Sequence, residues 1–215
     1  NTVWAFATVG HASPVLFESV AEMAKERLMD FSPQEFANTV WAFAKAGHAS
    51  PALFDAIAEV AKARLKDFNS QDLANTVWAF AKAGHASPAL FDAIAEVAKA
   101  RLKDFNSQNL ANTVWAFAKA GHASPALFDA IAEVAKARLK DFNSQNLANT
   151  VWAFATVGHA SPVLFESVAE MAKERLMDFS PQEFANTVWA FSRPCITSIL
   201  RCDRKGGKSA FEGFE

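Results

Sequence analysis

Leu73-Ala74-Asn75-Thr76-Val77-Trp78-Ala79-Phe80-Ala81 decides the fold, because its core returns along the chain at a fixed interval. Counted from its Asn, the unit begins at Asn1, Asn38, Asn75, Asn112 and Asn149, with a sixth start at Asn186. Residues 75–111 and 112–148 are identical, residues 1–37 and 149–185 are identical, and residues 38–74 differ from 75–111 only by Asp72 in place of Asn109. A unit of this length is one supersecondary element that cannot bury its apolar side alone, so self-similarity at this period predicts stacking into a solenoid.

Working outward, the quoted stretch lies inside a helix with clear ends. Asn69 is a good N-cap, Ser70 through Ala83 follow, and Gly84 suits the left-handed position that closes a helix. In other copies Ser32-Pro33-Gln34-Glu35 and Ser180-Pro181-Gln182-Glu183 add a first-position Pro and the Glu of a capping box. A tight Gly47-His48-Ala49 turn leads to Ser50-Pro51, which starts a second helix running to about Lys66. We call the two helices A and B. On helix A, Leu73, Ala74, Val77, Trp78, Phe80 and Ala81 share an apolar arc, and on helix B Leu53, Phe54, Ile57, Ala58, Val60, Ala61 and Leu65 do the same. Two helices cannot hide both arcs from each other. Neighbouring copies must cover the rest, which predicts an all-α solenoid of stacked helix-turn-helix repeats, each of 37 residues.

Composition agrees with a folded array. The chain of 215 residues is 51% apolar and 20% charged, with 20 Phe and 6 Trp but no Tyr, the lopsidedness of a copied segment. The repeat array covers 1–191. Residues 192–215 depart from the pattern at Ser192-Arg193-Pro194 and are expected to be irregular. Cys195 and Cys202, the only cysteines, fall in that tail, so no disulfide framework supports the repeats. No apolar run is long enough to span a bilayer, no targeting peptide opens the chain, and Asn1 falls partway into a helix, as in a fragment. The formal charge of −2 leaves no overall field that would draw the chain onto a polyanion, so any basic surface is local.

Opposite the apolar arc, helix A carries Gln71, Asp72, Asn75, Ala79 and Lys82, a stripe that stacking would align into a ladder. Asn is a mediocre helix former, and placing Asn38, Asn75, Asn112 and Asn149 mid-helix repeats a small cost that calls for a cause. Either the amide bonds the adjacent repeat, or it hydrogen-bonds a ligand such as a base edge or a peptide backbone. The Trp at 4, 41, 78, 115, 152 and 189 borders the stripe, where it serves as core or as a stacking surface. Lys45, Lys82 and Lys119 could meet phosphate, with Thr8 and Thr156 replacing them in the first and fifth copies. The His of each turn (His11, His48, His85, His122, His159) is spaced too far from its copies for a shared metal, and turn hydrogen bonding is expected. Arg64 and its equivalents are expected to pair across repeats with acids such as Asp67 and Asp72. No phosphate loop, metal-ligand pair or unique nucleophile stands out, which argues for binding rather than catalysis, with no cofactor, metal or small-molecule substrate.

The stretch 73–81, together with Asp67-Phe68-Asn69-Ser70-Gln71, resembles the octotricopeptide repeats of algal organelle proteins and the similar heptatricopeptide repeats of alveolate mitochondria. The likeness covers residues 1–191. It implies an α-solenoid that binds single-stranded RNA in chloroplast or mitochondrial transcript stability, processing or translation. On that reading each repeat meets one nucleotide. Asn38, Asn75, Asn112 and Asn149 read bases together with the variable third helix residue (Glu35, Asp72, Asn109, Asn146 and Glu183), Gln71 lies beside them, and Lys45, Lys82 and Lys119 lie near phosphate. The near-neutral charge keeps a second expectation open, an armadillo-like scaffold that grips an extended peptide or protein partner by its backbone.

Overall fold

The computed structural model describes residues 2–9, 13–193 and 196. Among the described residues, eleven α-helices alternate between the two kinds the sequence calls for: α1 (Thr2–Thr8), α2 (Pro14–Glu26), α3 (Pro33–Ala46), α4 (Pro51–Arg64), α5 (Ser70–Ala83), α6 (Pro88–Ala100), α7 (Ser107–Lys119), α8 (Pro125–Ala137), α9 (Ser144–Val157), α10 (Pro162–Glu174) and α11 (Pro181–Ser192). The odd-numbered helices are the A row and the even-numbered ones the B row. The described residues contain no strand. The irregular tail expected from 192 onward, both cysteines, Asn1 and His11 lie outside the described residues, apart from Ser192, which closes α11, and Arg193 and Ile196.

The local signals act as written. Asn69 Oδ1 accepts from the Asp72 N–H at 2.8 Å while the Asn69 N–H donates to Asp72 Oδ2 at 3.3 Å, and the same box forms between Ser32 and Glu35. At the other end Gly84 sits at φ 68°, its N–H donating to Ala81 O and that of His85 to Phe80 O, so two carbonyls that the helix leaves orphaned are satisfied. Helix B departs from expectation. It stops at Arg64, and Leu65–Asp67 tightens into a 3-10 turn that swings Leu65 into the core, with the Phe68 N–H donating to Leu65 O at 3.1 Å.

Packing between repeats is unequal in the two rows. Each A helix lies along the next over its whole length, whereas B helices touch more sparingly. Between α6 and α8, for example, a groove of about 680 Å³ opens over Leu102, Ala130 and Val134. Small residues explain the tight row: Ala74, Thr76, Ala79 and Ala81 are all buried, which brings neighbouring backbones close. Between the rows, Phe54 of α4 meets Phe80 of α5 edge-on at 4.9 Å, and the contact recurs as Phe91–Phe117 and Phe128–Phe154. Each fully buried Phe contributes about 1.5–3 kcal/mol of transfer free energy before ordering is counted. At the far end, Phe184 and Val188 of α11 are 42% and 45% exposed, although Val77 and Leu73 at the same repeat positions are fully buried. Stacking, not hairpin formation, completes the core.

Polar ties run along the same seams. The Arg101 guanidinium donates to Phe68 O of the preceding hairpin at 2.6 Å, and Arg64, Arg138 and Arg175 repeat the bond to Phe31, Phe105 and Phe142. The expected inter-repeat ion pair is therefore a charged hydrogen bond to a carbonyl. The carboxylate partner of Arg101 is Asp104, three residues on in its own turn, at 3.5 Å. The cause is the 3-10 turn, which folds that acid back beside Arg101.

Candidate nucleic-acid interface

Because every interior A helix is covered by B helices and flanked by two A neighbours, only one line of it reaches solvent. On α5 that line is Gln71, Asn75, Trp78 and Lys82, spaced four, three and four residues apart and so in register on one helix face. It runs beside the stripe expected from sequence: Ala79 is fully buried and Asp72 is 6% exposed, while Trp78 takes their place. The apolar arc within a single helix A accounts for one buried side. Two flanking A neighbours bury three.

Asn38, Asn75, Asn112 and Asn149 are half-buried, yet their side-chain amides make no hydrogen bond to any described residue. Nor are their polar atoms sealed from water. This matters because buried amides in folded proteins are almost always bonded. The amides thus recur at a fixed interval along the row, with donor and acceptor free of described protein partners. The third helix residues behave differently. Asn109 and Asn146 turn into the seam and donate to Ser70 and Ser107 of the preceding repeat at 3.3 and 3.4 Å. Ser70 in turn donates to Asp104 O at 2.9 Å. Asp72 lies in the same kind of seam, where Pro33 stands at the position that Ser70 holds for Asn109. Burial pushes its carboxyl pKa up, partly offset by the Asn69 N–H bonded to it. Glu35 is exposed and Glu183 half-buried, each closing a capping box, and the Ser32 N–H and hydroxyl hold the Glu35 carboxyl below its usual range.

Beside the amides the six Trp rings form an unbroken ladder with centroids 6.2–6.3 Å apart and planes inclined by 28–31°. Trp41, Trp78, Trp115 and Trp152 are half-buried and pack on the core. A base cannot slip between successive rings, since parallel stacking on both sides needs about 6.8 Å, twice the roughly 3.4 Å rise of a stacked strand. What the ladder offers is a row of half-buried ring surfaces at a constant step.

The ladder's basic rim is open. Lys45, Lys82 and Lys119 are exposed and form no ion pair with a described residue, and Lys45 leans over Trp41 at 5.9 Å. In the B row Lys25, Lys62 and Lys99 pair with Glu22, Glu59 and Glu96, whereas Lys136 and Lys173 form no ion pair with a described residue. The seam carboxylate of Asp72 sits ten residues, about 15 Å, along the helix from Lys82, beyond the ~8 Å screening length of physiological salt.

The turn histidines face away from metal chemistry. His85, His122 and His159 each meet one carboxylate of the preceding repeat, Asp55, Asp92 and Asp129, at 2.7–2.8 Å. These ties and the Ser70 seam escaped the sequence reading. Their only signal there is a fixed offset, 30 residues for His–Asp and 39 for Asn–Ser, between polar residues that each recur once per copy.

Among known proteins, the sequence model of the RNA-editing substrate-binding complex 6 protein matches residues 1–123 and again 79–198. The two spans overlap, as alternative alignments of a repeat do, and together take in the whole helical array. No curated protein matches the chain.

Proposed function

The chain belongs to the RNA-editing substrate-binding complex 6 protein family, and on that premise we propose that it binds single-stranded RNA along its A row. The observation that carries the reading is the row of half-buried Asn amides without protein partners, running beside the Trp ladder with the free lysines on its far side. In this arrangement Asn38, Asn75, Asn112 and Asn149, with Gln71 and its equivalents, hydrogen-bond base edges, which on a single strand are not occupied by pairing. Lys45, Lys82 and Lys119 lie toward phosphate. Asp72, Asn109 and Asn146, with Glu35 and Glu183, adjust the reading from the seam by fixing how neighbouring amides are spaced.

The protein acts by holding its substrate and not by catalysis, as a component of an assembly that modifies or stabilises transcripts. The resemblance to octotricopeptide and heptatricopeptide repeats favours an organelle, mitochondrion or chloroplast, as the setting, and an RNA-editing family is consistent with the mitochondrion. The array over 1–191 acts as one continuous surface. Selection from random single-stranded RNA beside a peptide library tests the proposal. Enrichment of short RNA sequences supports it. Enrichment of peptides with no RNA retained replaces it with a protein scaffold.

A further inference from the structure

The position that carries the free lysine reads Thr8, Lys45, Lys82, Lys119, Thr156 and Arg193 along the six copies. We infer that the strand's phosphates are gripped only over the three central repeats, 38–148, so that the RNA footprint is a short window inside a longer ladder of otherwise equivalent rungs. The inference rests on the RNA-binding reading above and adds where along the array the charge is met.

Three observations converge on it. The cations on this rim are contiguous at Lys45, Lys82 and Lys119, all exposed and unpaired among the described residues. The flanking threonines do not substitute for them. The Thr8 hydroxyl is turned back onto Trp4 O at 2.8 Å, and the Thr156 hydroxyl is buried without a partner, closed off from solvent and so from any phosphate. Arg193 lies beyond the gap at Thr156, in a bend after α11 instead of on a helix rim, and so does not extend the contiguous run. The rings, by contrast, continue past both ends of the window, at Trp4 and Trp152, and the amides continue past its far end at Asn149. Outer rungs therefore touch bases without holding the backbone, and the central ones do both.

Salt dependence measures this directly, because each phosphate neutralised on a single strand adds about 0.7 to the slope of log affinity against log salt. Three contacts give a slope near 2 in magnitude for the full chain with short homopolymeric RNAs, read by fluorescence anisotropy. Lys82→Thr installs the residue this chain itself carries at the rim of its first and fifth copies, so the helix tolerates it, and circular dichroism verifies the fold. The slope should fall by about 0.7 in Lys82→Thr and rise by about 0.7 in Thr156→Lys, which lengthens the window by one rung. Binding that persists with an unchanged slope in either variant overturns the window and leaves RNA binding standing. A folded wild-type chain that retains none of the homopolymers, nor any selected RNA, overturns the RNA-binding reading and the window with it.

Discussion

Replacing Asn75 and Asn112 together by Ala should make the protein more stable and a worse binder. Both amides sit mid-helix, half-buried, with no bond to the described protein. Removing them breaks nothing internal and gains helix propensity, about 0.5 kcal/mol per site and so about 1 kcal/mol for the pair. The same change deletes two ligand hydrogen bonds, each of net value about 0.5–1.5 kcal/mol. Affinity for the best selected RNA should then drop by about 5- to 150-fold, at tenfold per 1.4 kcal/mol. Denaturant unfolding gives the first quantity and anisotropy titration at fixed salt the second. Opposite signs are the diagnostic, because an amide kept for stability would show a loss in both. A double variant that is destabilised by more than about 1 kcal/mol, or that binds within twofold of the parent, refutes the assignment of this row to a ligand.

Asp72→Asn should stabilise the fold at neutral pH. Burial raises the pKa of Asp72 above that of the unfolded chain, so its contribution is fully present in acid, where both states are protonated. It is lost as pH rises from the unfolded value through the raised native one. The gap between variant and parent should thus open with rising pH across that window, and an equal gap at all pH values would exclude the titration of Asp72 as its source. Arg101→Ala should cost about 1.5–3 kcal/mol by denaturant unfolding, since it takes a charged donor from Phe68 O at 2.6 Å. A change within about 0.5 kcal/mol would mean the tie adds nothing to repeat stacking.

Helix ends and the stacking of repeats were legible because they depend on single residues and on period. Asn69, Gly84 and Ser50-Pro51 each act on a backbone a few residues away, and the bounds of α5 are those its caps announce. The functional line was harder to place, by about one residue around the helix. Whether Ala79 or Trp78 faces water depends on how many neighbours a helix has, and nothing within α5 encodes that it has an A helix on either side. The same cause hid the seam. Asn109 reads as a surface residue in its own helix and is buried only because Ser70, 39 residues earlier, arrives beside it. Long-range partners in a repeat protein are visible only as offsets, and an offset carries chemistry only once the geometry of stacking is known.

The unequal rows also have a mechanical consequence. Bending strain collects wherever contact is thinnest, so neighbouring hairpins pivot about the tight A row and spread or close the grooves of the B row. The array then behaves as a leaf spring whose tighter leaf carries the rungs. Curvature can change to follow a stiff or a slack polymer while the interval between successive rungs is preserved.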